Sequence, residues 1–228
     1  MYETSRSRWP HRGVSVLRSC AFLLAFLAAV APAHAGDNSG NTLIKVLGTE
    51  VLTGSHLKGA GDDVIDVSSN TVPTLSIAYF LTENIAVEAI CCFTEHSISD
   101  RAGAFTGPGA KIADVWVFPP TVSLQYHLPI GAFKPYVSVG ASYLVFFDEK
   151  SFIGANVDLE NDWGLSLGGG LDVSLGNGWQ LSFDVKKIVS LDSKIYAGGS
   201  YVDTVELDPW LISVGVGYRF NIADLLGH

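Results

Sequence analysis

The chain closes with the segment WLISVGVGYRF, residues 210–220, and NIADLLGH, residues 221–228, follows it. Bulky and small side chains alternate along the first of these segments. One side carries Trp210, Ile212, Val214, Val216, Tyr218 and Phe220, and the other carries Leu211, Ser213, Gly215, Gly217 and Arg219. This period of two predicts a β-strand with one continuous apolar face. Whether this apolar face contacts lipid or the protein interior decides between a membrane barrel and a soluble fold.

Seven further segments alternate in the same way and predict seven more strands. They cover residues 42–52, 74–81, 85–94, 121–128, 136–147, 164–173 and 179–189. Short turns at 82–84, 129–131 and 176–178 alternate with long loops near 54–70, 96–114, 148–162 and 190–206. Transmembrane barrels have this pattern, with short periplasmic turns and long external loops. The Asn-Gly pair at 177–178 supports a hairpin, since such turns need positive φ.

The second face of these strands decides between a soluble barrel and a membrane barrel. It is rich in Gly, Ser, Ala and Thr, whereas the apolar face is continuous. An eight-stranded barrel is only wide enough inside for side chains, so the small residues fit the interior and the apolar face meets lipid. The predicted fold is therefore all-β, an eight-stranded antiparallel up-and-down transmembrane β-barrel. Aromatic side chains near the strand ends are expected to form the interfacial girdles, namely Tyr79, Tyr126, Trp163, Trp179, Trp210 and Tyr218.

The first 35 residues have the three parts of a secretory signal. A basic start precedes the apolar run at 20–31, and Ala33-His34-Ala35 is a small-x-small cleavage site. We therefore predict a cleaved signal peptide at 1–35, the barrel at 36–220 and a poorly ordered periplasmic tail at 221–228. This leader holds four Arg and one Glu of the chain's 14 basic and 23 acidic residues, so the rest is strongly acidic. Such a surface excludes nucleic acid as a partner, because phosphates require basic patches.

Two cysteines remain outside the leader, Cys91 and Cys92, and they are neighbours in the sequence. Adjacent side chains of a strand point to opposite faces, so a bond between these two would distort the backbone. We interpret them as two small apolar side chains on opposite sides of one strand, without a disulfide framework.

Five segments resemble the OmpW family of outer-membrane proteins. They are PTLSIAYFLTENIAVEAI (73–90), FPPTVSLQYHL (118–128), FKPYVSVGASYLVFFDE (133–149), DWGLSLGGGLDV (162–173) and LDPWLISVGVGYRF (207–220). The resemblance implies an eight-stranded barrel in the outer membrane of a Gram-negative bacterium, with a narrow interior that passes small hydrophobic molecules.

Two features depart from the family that these segments resemble. Residues 221–228 follow the terminal aromatic residue, which the barrel-insertion machinery is expected to read as part of the closing strand. Lys186 stands where the family tends to carry a bulky apolar group. This lysine argues against a strictly apolar channel.

Inward charges are expected to gather in the lower half of the barrel. Lys45, Glu88, Asp172 and Arg219 lie near the turn ends of their strands, and Asp184 and Lys186 lie slightly higher. Ionised groups in a confined, partly dehydrated lumen persist only when they are paired. Three acids that face three bases therefore predict a neutral polar network closing the lower barrel, with a proton or ion path as the alternative.

Apolar inward side chains are expected above this network, at Ile90, Leu144, Phe146, Ile188 and Leu211. An apolar patch that is open to the outside and floored by charges would hold a small apolar molecule without letting it pass downward. Our hypothesis is that the molecule leaves sideways into the bilayer. Pro73, Pro119 and Pro120 lack a ladder donor and mark a candidate wall gap, although simple strand termination explains these prolines equally well.

Three classes of function compete at the level of sequence. The favoured one is a barrel that passively admits small hydrophobic molecules, with this solute and outer-membrane lipid as partners. The alternative is a closed structural or interaction barrel whose external loops bind a partner without transport. An enzyme is disfavoured, because the candidates Ser55, His56, Asp62, Asp63, Glu95 and His96 form no known nucleophile, phosphate or metal motif. We predict no catalytic residue, no cofactor and no metal site.

Overall fold

The computed structural model describes residues 41–53, 55–57, 61–62, 64–103, 107–154, 157–190 and 193–226. The predicted signal peptide at 1–35 lies outside these residues. The described strands are β1 Thr42–Leu52, β2 Ser55–Leu57, β3 Gly61–Asp62, β4 Ile65–Val67, β5 Asn70–Phe80, β6 Ile85–Cys92, β7 Thr94–Asp100, β8 Ala110–Phe118, β9 Thr121–His127, β10 Phe133–Ser151, β11 Val157–Leu159, β12 Asp162–Gly176, β13 Trp179–Ser190, β14 Ser193–Ala197, β15 Ser200–Leu207 and β16 Trp210–Phe220, and the helix α1 spans Ile222–Leu226.

Eight of these strands close into an antiparallel barrel in the order β1, β5, β6, β9, β10, β12, β13, β16. The closing strand β16 pairs with β1 along its whole length, from Phe220 opposite Thr42 to Trp210 opposite Leu52. On the other side β10 pairs with β12 and completes the ring. The predicted eight-stranded barrel is thereby confirmed.

The short connections gather at one end of the barrel, which we call the turn end. The hairpin between β12 and β13 has positive φ at Asn177 (51°) and at Gly178 (83°). An Asn-Gly pair tolerates this conformation, which matches the right-handed twist of the flanking strands. The opposite end, which carries the long connections, is called the loop end.

The two faces of the barrel strands differ as the alternation predicts. The exposed outward residues include Val46, Leu75, Leu124, Val137, Leu165, Val185 and Val214. Inward residues such as Ser76, Gln125, Ser166 and Ser182 are buried. Small and polar side chains therefore occupy many inward positions, and aliphatic ones form the outer surface that lipid covers in a membrane barrel.

Five of the six predicted girdle aromatics are exposed on the outer surface, and one is not. Trp163 and Trp210 lie at the loop end, whereas Tyr126, Trp179 and Tyr218 lie at the turn end. Tyr79 is the exception, since only 4% of it is exposed. Its hydroxyl accepts a hydrogen bond from Nδ2 of Asn41 at 3.4 Å, so this ring is held at the start of β1 instead of standing free in the girdle.

The long connections contain strands, which the loop assignments did not anticipate. Strands β4, β7 and β8 continue the barrel wall above β10, and β11, β14, β15, β2 and β3 form a second sheet. These strands also alternate, since Ile65 and Val67 of β4 are buried while Asp66 between them is exposed. These strands have two to nine residues and contain many polar groups, so the alternation is too short to recognise in the sequence.

The segment after the closing strand forms α1, a single helical turn, in its described part. The side chain of Asn221 accepts a hydrogen bond from the backbone N–H of Ala223 at 3.2 Å, as an N-cap does. The backbone N–H of Ile222 donates to Oδ1 of Asn41 at 3.1 Å and so ties the segment to the start of β1. The described part of the predicted tail therefore forms a short helix that contacts the start of β1. No helix among the described residues is long and apolar enough to span a bilayer.

Candidate functional site

Ion pairs lie in the lower lumen, and Lys186 of β13 lies at their centre. Its Nζ lies 2.6 Å from Oδ2 of Asp184 and 3.0 Å from Oε2 of Glu88, which extends from β6 across the lumen. Two hydroxyls complete the shell: Tyr136 donates to Asp184 at 2.6 Å, and Ser76 donates to Glu88 at 2.7 Å. All of these side chains are buried, so each charge depends on its neighbours for solvation.

A second ion pair lies nearer to the turn end. Lys45 Nζ lies 3.1 Å from Oδ1 of Asp172, which also accepts a hydrogen bond from Ser182 at 2.6 Å. The same ammonium lies 4.9 Å from the ring centre of Tyr136 and so connects the two pairs. The guanidinium of Arg219 stacks at 3.6 Å over the ring of Phe80.

The structure thus brings the six predicted charged residues into one buried region, which we call the ionic floor: Lys45, Glu88, Asp172, Asp184, Lys186 and Arg219. It also supplies neutral members that the sequence did not reveal. Tyr136 is the most important of these, because its hydroxyl and its ring contact both halves of the floor. Its inward position follows from the alternation of β10, but a tyrosine at a strand end is equally typical of a girdle.

An apolar cavity lies directly above the ionic floor. Four of the five predicted apolar residues line it: Leu144, Phe146, Ile188 and Leu211. Ile90 is buried but is not among the residues that line this cavity. The strands within the long connections, β2–β4, β7, β8, β11, β14 and β15, are called the extension strands. They contribute the upper wall, including Val115, Val117, Val205 and Leu207. The empty space is about 710 Å³, including the part open to solvent.

A second apolar cavity continues the first toward the loop end. The two share the side chains of Ile65, Ile98, Leu159 and Ile195. The outer cavity has about 670 Å³ of empty space and is bounded by Ile153 and Val202 farther out. We call these two adjacent cavities the apolar passage, and its inner wall includes Leu211, which lies opposite Lys186 of the ionic floor in the strand register.

The apolar wall contains one buried histidine. His96 of β7 shares a hydrogen bond with Thr94 Oγ1 at 3.1 Å through Nε2, and its Nδ1 lies 2.6 Å from the carbonyl oxygen of Ser68. Burial lowers the pKa of His96 below the ordinary value of 6.5, and the bond to Ser68 opposes this shift only in part. The ring is therefore neutral at neutral pH, as an apolar wall requires.

Acidification is expected to destabilise the fold through His96. Because the pKa of this imidazole is lower in the folded state, the unfolded chain binds more protons below pH 6.5. Stability should fall as the pH drops from about 6.5 and level off below the folded-state pKa. His96→Gln keeps the polar contacts without titrating, so urea unfolding midpoints at pH 7.5 and 5.0 should differ less in the variant than in wild type. An equal pH dependence in both proteins would contradict this prediction.

The three predicted gap prolines have different positions. Pro73 lies within β5 opposite Gly48, and its side chain is exposed. Pro119 and Pro120 separate β8 from β9 and are buried, and Pro119 belongs to the cavity wall. The carbonyl of Pro120 accepts a hydrogen bond from Tyr143 of β10 at 3.0 Å. Strand termination therefore explains Pro119 and Pro120 but not Pro73, since β5 runs through it.

The residues considered for catalysis do not assemble into a described site. Asp63 and the side chains of Ser55, His56 and Asp62 lie outside the described part of the structure. His96 is buried in the cavity wall instead of the loop rim. Within the described residues, no three His, Cys, Asp or Glu side chains cluster in a way that could hold a metal ion. Neither Cys91 nor Cys92 forms a disulfide with a described residue, and of the two only Cys92 lines the cavity.

Comparison with known proteins gives the family. A family model described as OmpW family matches residues 38–220, which is nearly the whole of the described chain. This chain belongs to the OmpW family. As an OmpW-family barrel it lies in the outer membrane of a Gram-negative bacterium, as the names of its relatives indicate.

Two relatives and one solved structure illustrate what this OmpW-family protein is similar to. The outer-membrane protein y4mB of Sinorhizobium fredii is 37% identical and aligns over 84% of this chain and 86% of its own length. The dibenzothiophene metabolism operon protein PahQ of Pseudomonas aeruginosa is 27% identical over 74% of this chain and 79% of its own. The solid-state NMR structure of outer membrane protein AlkL in lipid bilayers superposes with a TM-score of 0.64 and 27% identity, covering 85% of this chain and 97% of AlkL.

Proposed function

We propose that this barrel passively admits small hydrophobic molecules into the outer membrane. The observation that carries the proposal is the apolar passage that ends on a buried ionic floor. No Asp, Glu, Lys or Arg lines the inner cavity, and Asp203 is the one such residue on the wall of the outer cavity, so a hydrocarbon meets almost entirely apolar walls. Transfer from water into such a wall is favourable in proportion to the apolar area removed from water.

The ionic floor makes straight passage into the periplasm unfavourable. An apolar molecule moving below Ile188 would have to displace the contacts of Lys186 with Asp184 and Glu88. Each buried charge that lost its partner would raise the free energy by several kcal/mol, on the order of 3–5 for a broken pair. Release into the surrounding bilayer, where the molecule is already soluble, avoids this barrier.

The names of the relatives agree with an apolar solute without identifying it. PahQ takes its name from an operon of dibenzothiophene metabolism, and dibenzothiophene is a small aromatic compound without charge. For the present chain the solute class comes from the cavity walls, and the proposal includes no catalytic step. The barrel-insertion machinery is proposed as a transient partner that recognises β16.

Leu144→Asp is expected to reduce uptake about tenfold or more. A carboxylate on the cavity wall binds water and must be desolvated when an apolar probe enters, which opposes binding by at least about 1.4 kcal/mol. The measurement is the initial rate of uptake of N-phenylnaphthylamine into liposomes that contain the full-length protein. Heat-modifiable mobility in SDS gels checks that each variant has folded.

Leu144→Ala is the matched control, because it shortens the same side chain without adding charge. It should keep uptake within about threefold of wild type, since it removes only part of one wall residue. Equal uptake by wild type and Leu144→Asp would rule out the cavity as the binding site. Wild-type uptake no faster than in protein-free liposomes would instead favour the closed interaction barrel.

A further inference from the structure

A histidine and two acidic residues occupy adjacent positions on three neighbouring strands of the second sheet. Glu206 of β15 lies directly opposite His56 of β2, and His56 lies directly opposite Asp62 of β3. The three positions therefore form one row across the sheet, with His56 in the middle. The sequence alone predicts no metal site here, because only the strand register brings Glu206 beside a segment so distant in the chain.

This row lies on the face of the sheet that is turned away from the inner cavity. Val205 and Leu207, which flank Glu206 in β15, are buried and line that cavity. Successive residues of a strand alternate between faces, and directly opposite residues share a face, so the whole row belongs to the other face. On that face Lys194 of β14 lies opposite Thr204 and is half exposed. Water, and any dissolved ion, therefore has access to this side of the sheet.

The residue types in the row are those that bind divalent transition-metal ions. Imidazole nitrogen and carboxylate oxygen are common ligands of Zn²⁺, at about 2.0–2.2 Å from the ion. Directly opposite residues of an antiparallel pair have Cβ atoms about 4.5–5.5 Å apart, a spacing from which neighbouring side chains can converge on one ion. Two carboxylates and a neutral imidazole also carry the two negative charges that balance a divalent cation.

The strands that carry the row have few contacts of their own. β2 has three residues and β3 has two, and they pair only through His56 opposite Asp62 and Leu57 opposite Gly61. Two-stranded segments are marginally stable in water unless something else supports them. An ion bound by all three strands would give β2 and β3 this support.

We propose that Glu206, His56 and Asp62 form a binding site for a divalent transition-metal ion, with Zn²⁺ as the best match. The imidazole distinguishes this set from the all-oxygen ligand sets that Ca²⁺ and Mg²⁺ prefer. Water completes the coordination of the ion. The bound ion fixes β2 and β3 to β15, whose other face forms part of the inner cavity wall. The site is separate from the proposed uptake function and does not depend on it.

The test is titration of Zn²⁺ into the untagged full-length protein in detergent micelles, followed by calorimetry. His56→Ala should weaken Zn²⁺ binding at this site about tenfold or more, since even residues that only orient a ligand have effects of about 10–100-fold. Asp62→Asn and Glu206→Gln should each weaken it while keeping the size of the side chain. Zn²⁺ should also protect His56 from modification by diethylpyrocarbonate, and peptide mass spectrometry assigns this protection to the residue.

Asp66→Asn is the matched control, because Asp66 is an exposed acid in β4, outside the second sheet. It should leave Zn²⁺ affinity and the protection of His56 unchanged. Heat-modifiable mobility in SDS gels checks that each variant has folded. Absence of Zn²⁺ binding by wild type would overturn the site. Binding that His56→Ala and Asp62→Asn leave unchanged would do so as well, and equal affinity for Mg²⁺ would reduce it to general attraction by the acidic surface.

Discussion

Lys186→Leu is expected to lower the free energy of unfolding by about 3–5 kcal/mol. The substitution removes the ammonium that lies within 3.0 Å of both Glu88 and Asp184. It leaves the volume of the side chain nearly unchanged. The two carboxylates would remain in a lumen that excludes bulk water, without the cation that compensates them. The measurement is the urea midpoint of the refolded barrel in detergent micelles, followed by tryptophan fluorescence.

Lys187→Leu is the matched control for this experiment. Lys187 is the next residue in β13, but its side chain is partly exposed and lies beside Asp208 at 3.7 Å and over the ring of Trp210. Pairs of this kind contribute about 0–1 kcal/mol. A Lys186→Leu midpoint within the range of the Lys187 variant would mean that the lumen is hydrated enough to solvate the two acids. Adding Glu88→Gln and Asp184→Asn to Lys186→Leu should recover most of the lost stability, since no charge is then stranded.

Gly170→Ala is expected to destabilise the barrel by about 3 kcal/mol, at the upper end for overpacked interiors. In the register, Gly170 of β12 lies between Tyr136 and Asp184, and the hydrogen bond between these two side chains passes over it. A methyl group at this position would lie 2.5 Å from the hydroxyl and the adjacent ring carbon of Tyr136, and it would collide with the carbonyl of Phe183. The substitution therefore strains the pairing of β12 with β13 and also breaks the hydrogen bond between Tyr136 and Asp184.

The same substitution at Gly48 provides the comparison. Gly48 lies on the lipid face of β1, where the nearest atom to an added methyl group would be the carbonyl oxygen of Val214 at 3.9 Å. Gly48→Ala should be neutral or stabilising by up to about 1 kcal/mol, because it reduces the entropy of the unfolded chain. The midpoints of both variants are measured under identical conditions. Equal effects at the two glycines would show that the Gly170 site relaxes at little cost.

The barrel could be predicted from sequence because outward apolar side chains alternate with inward small or polar ones along the full length of its strands. In β16, ten alternations from Trp210 onward leave no doubt about which residues point outward, and the structure keeps that assignment. The charged members of the ionic floor followed from the same rule, since Lys45, Glu88 and Lys186 stand at inward positions of similar height. The alternation of side chains and the distance of a residue from the end of its strand can both be read directly from the sequence.

Other features depend on which segments meet in space, and the sequence does not record this. The extension strands are short, and they become recognisable only when β7 pairs with β8 and β14 with β15. The inward position and the height of Ile90 predict a place in the apolar patch, but the cavity is lined by Leu144 and Ile188 and not by Ile90. Tyr79 has the pattern of a girdle residue, but its contact with Asn41 removes it from that surface.

The adjacent lysines of β13 have a consequence for how the barrel assembles. Lys186 enters the ionic floor and Lys187 contacts Trp210 on the outer surface, so the two side chains are sorted to opposite faces. A slip of β13 by one residue against β12 or β16 would turn Lys186 into the hydrocarbon and bring Lys187 inward out of reach of its partners. A buried lysine at the bilayer midplane is unfavourable by about 2–4 kcal/mol, and the stranded acids add to that penalty. The buried charges therefore disfavour barrels in which β13 is misaligned. This effect on the free energy of misaligned barrels is larger than the stabilisation of the correctly aligned one.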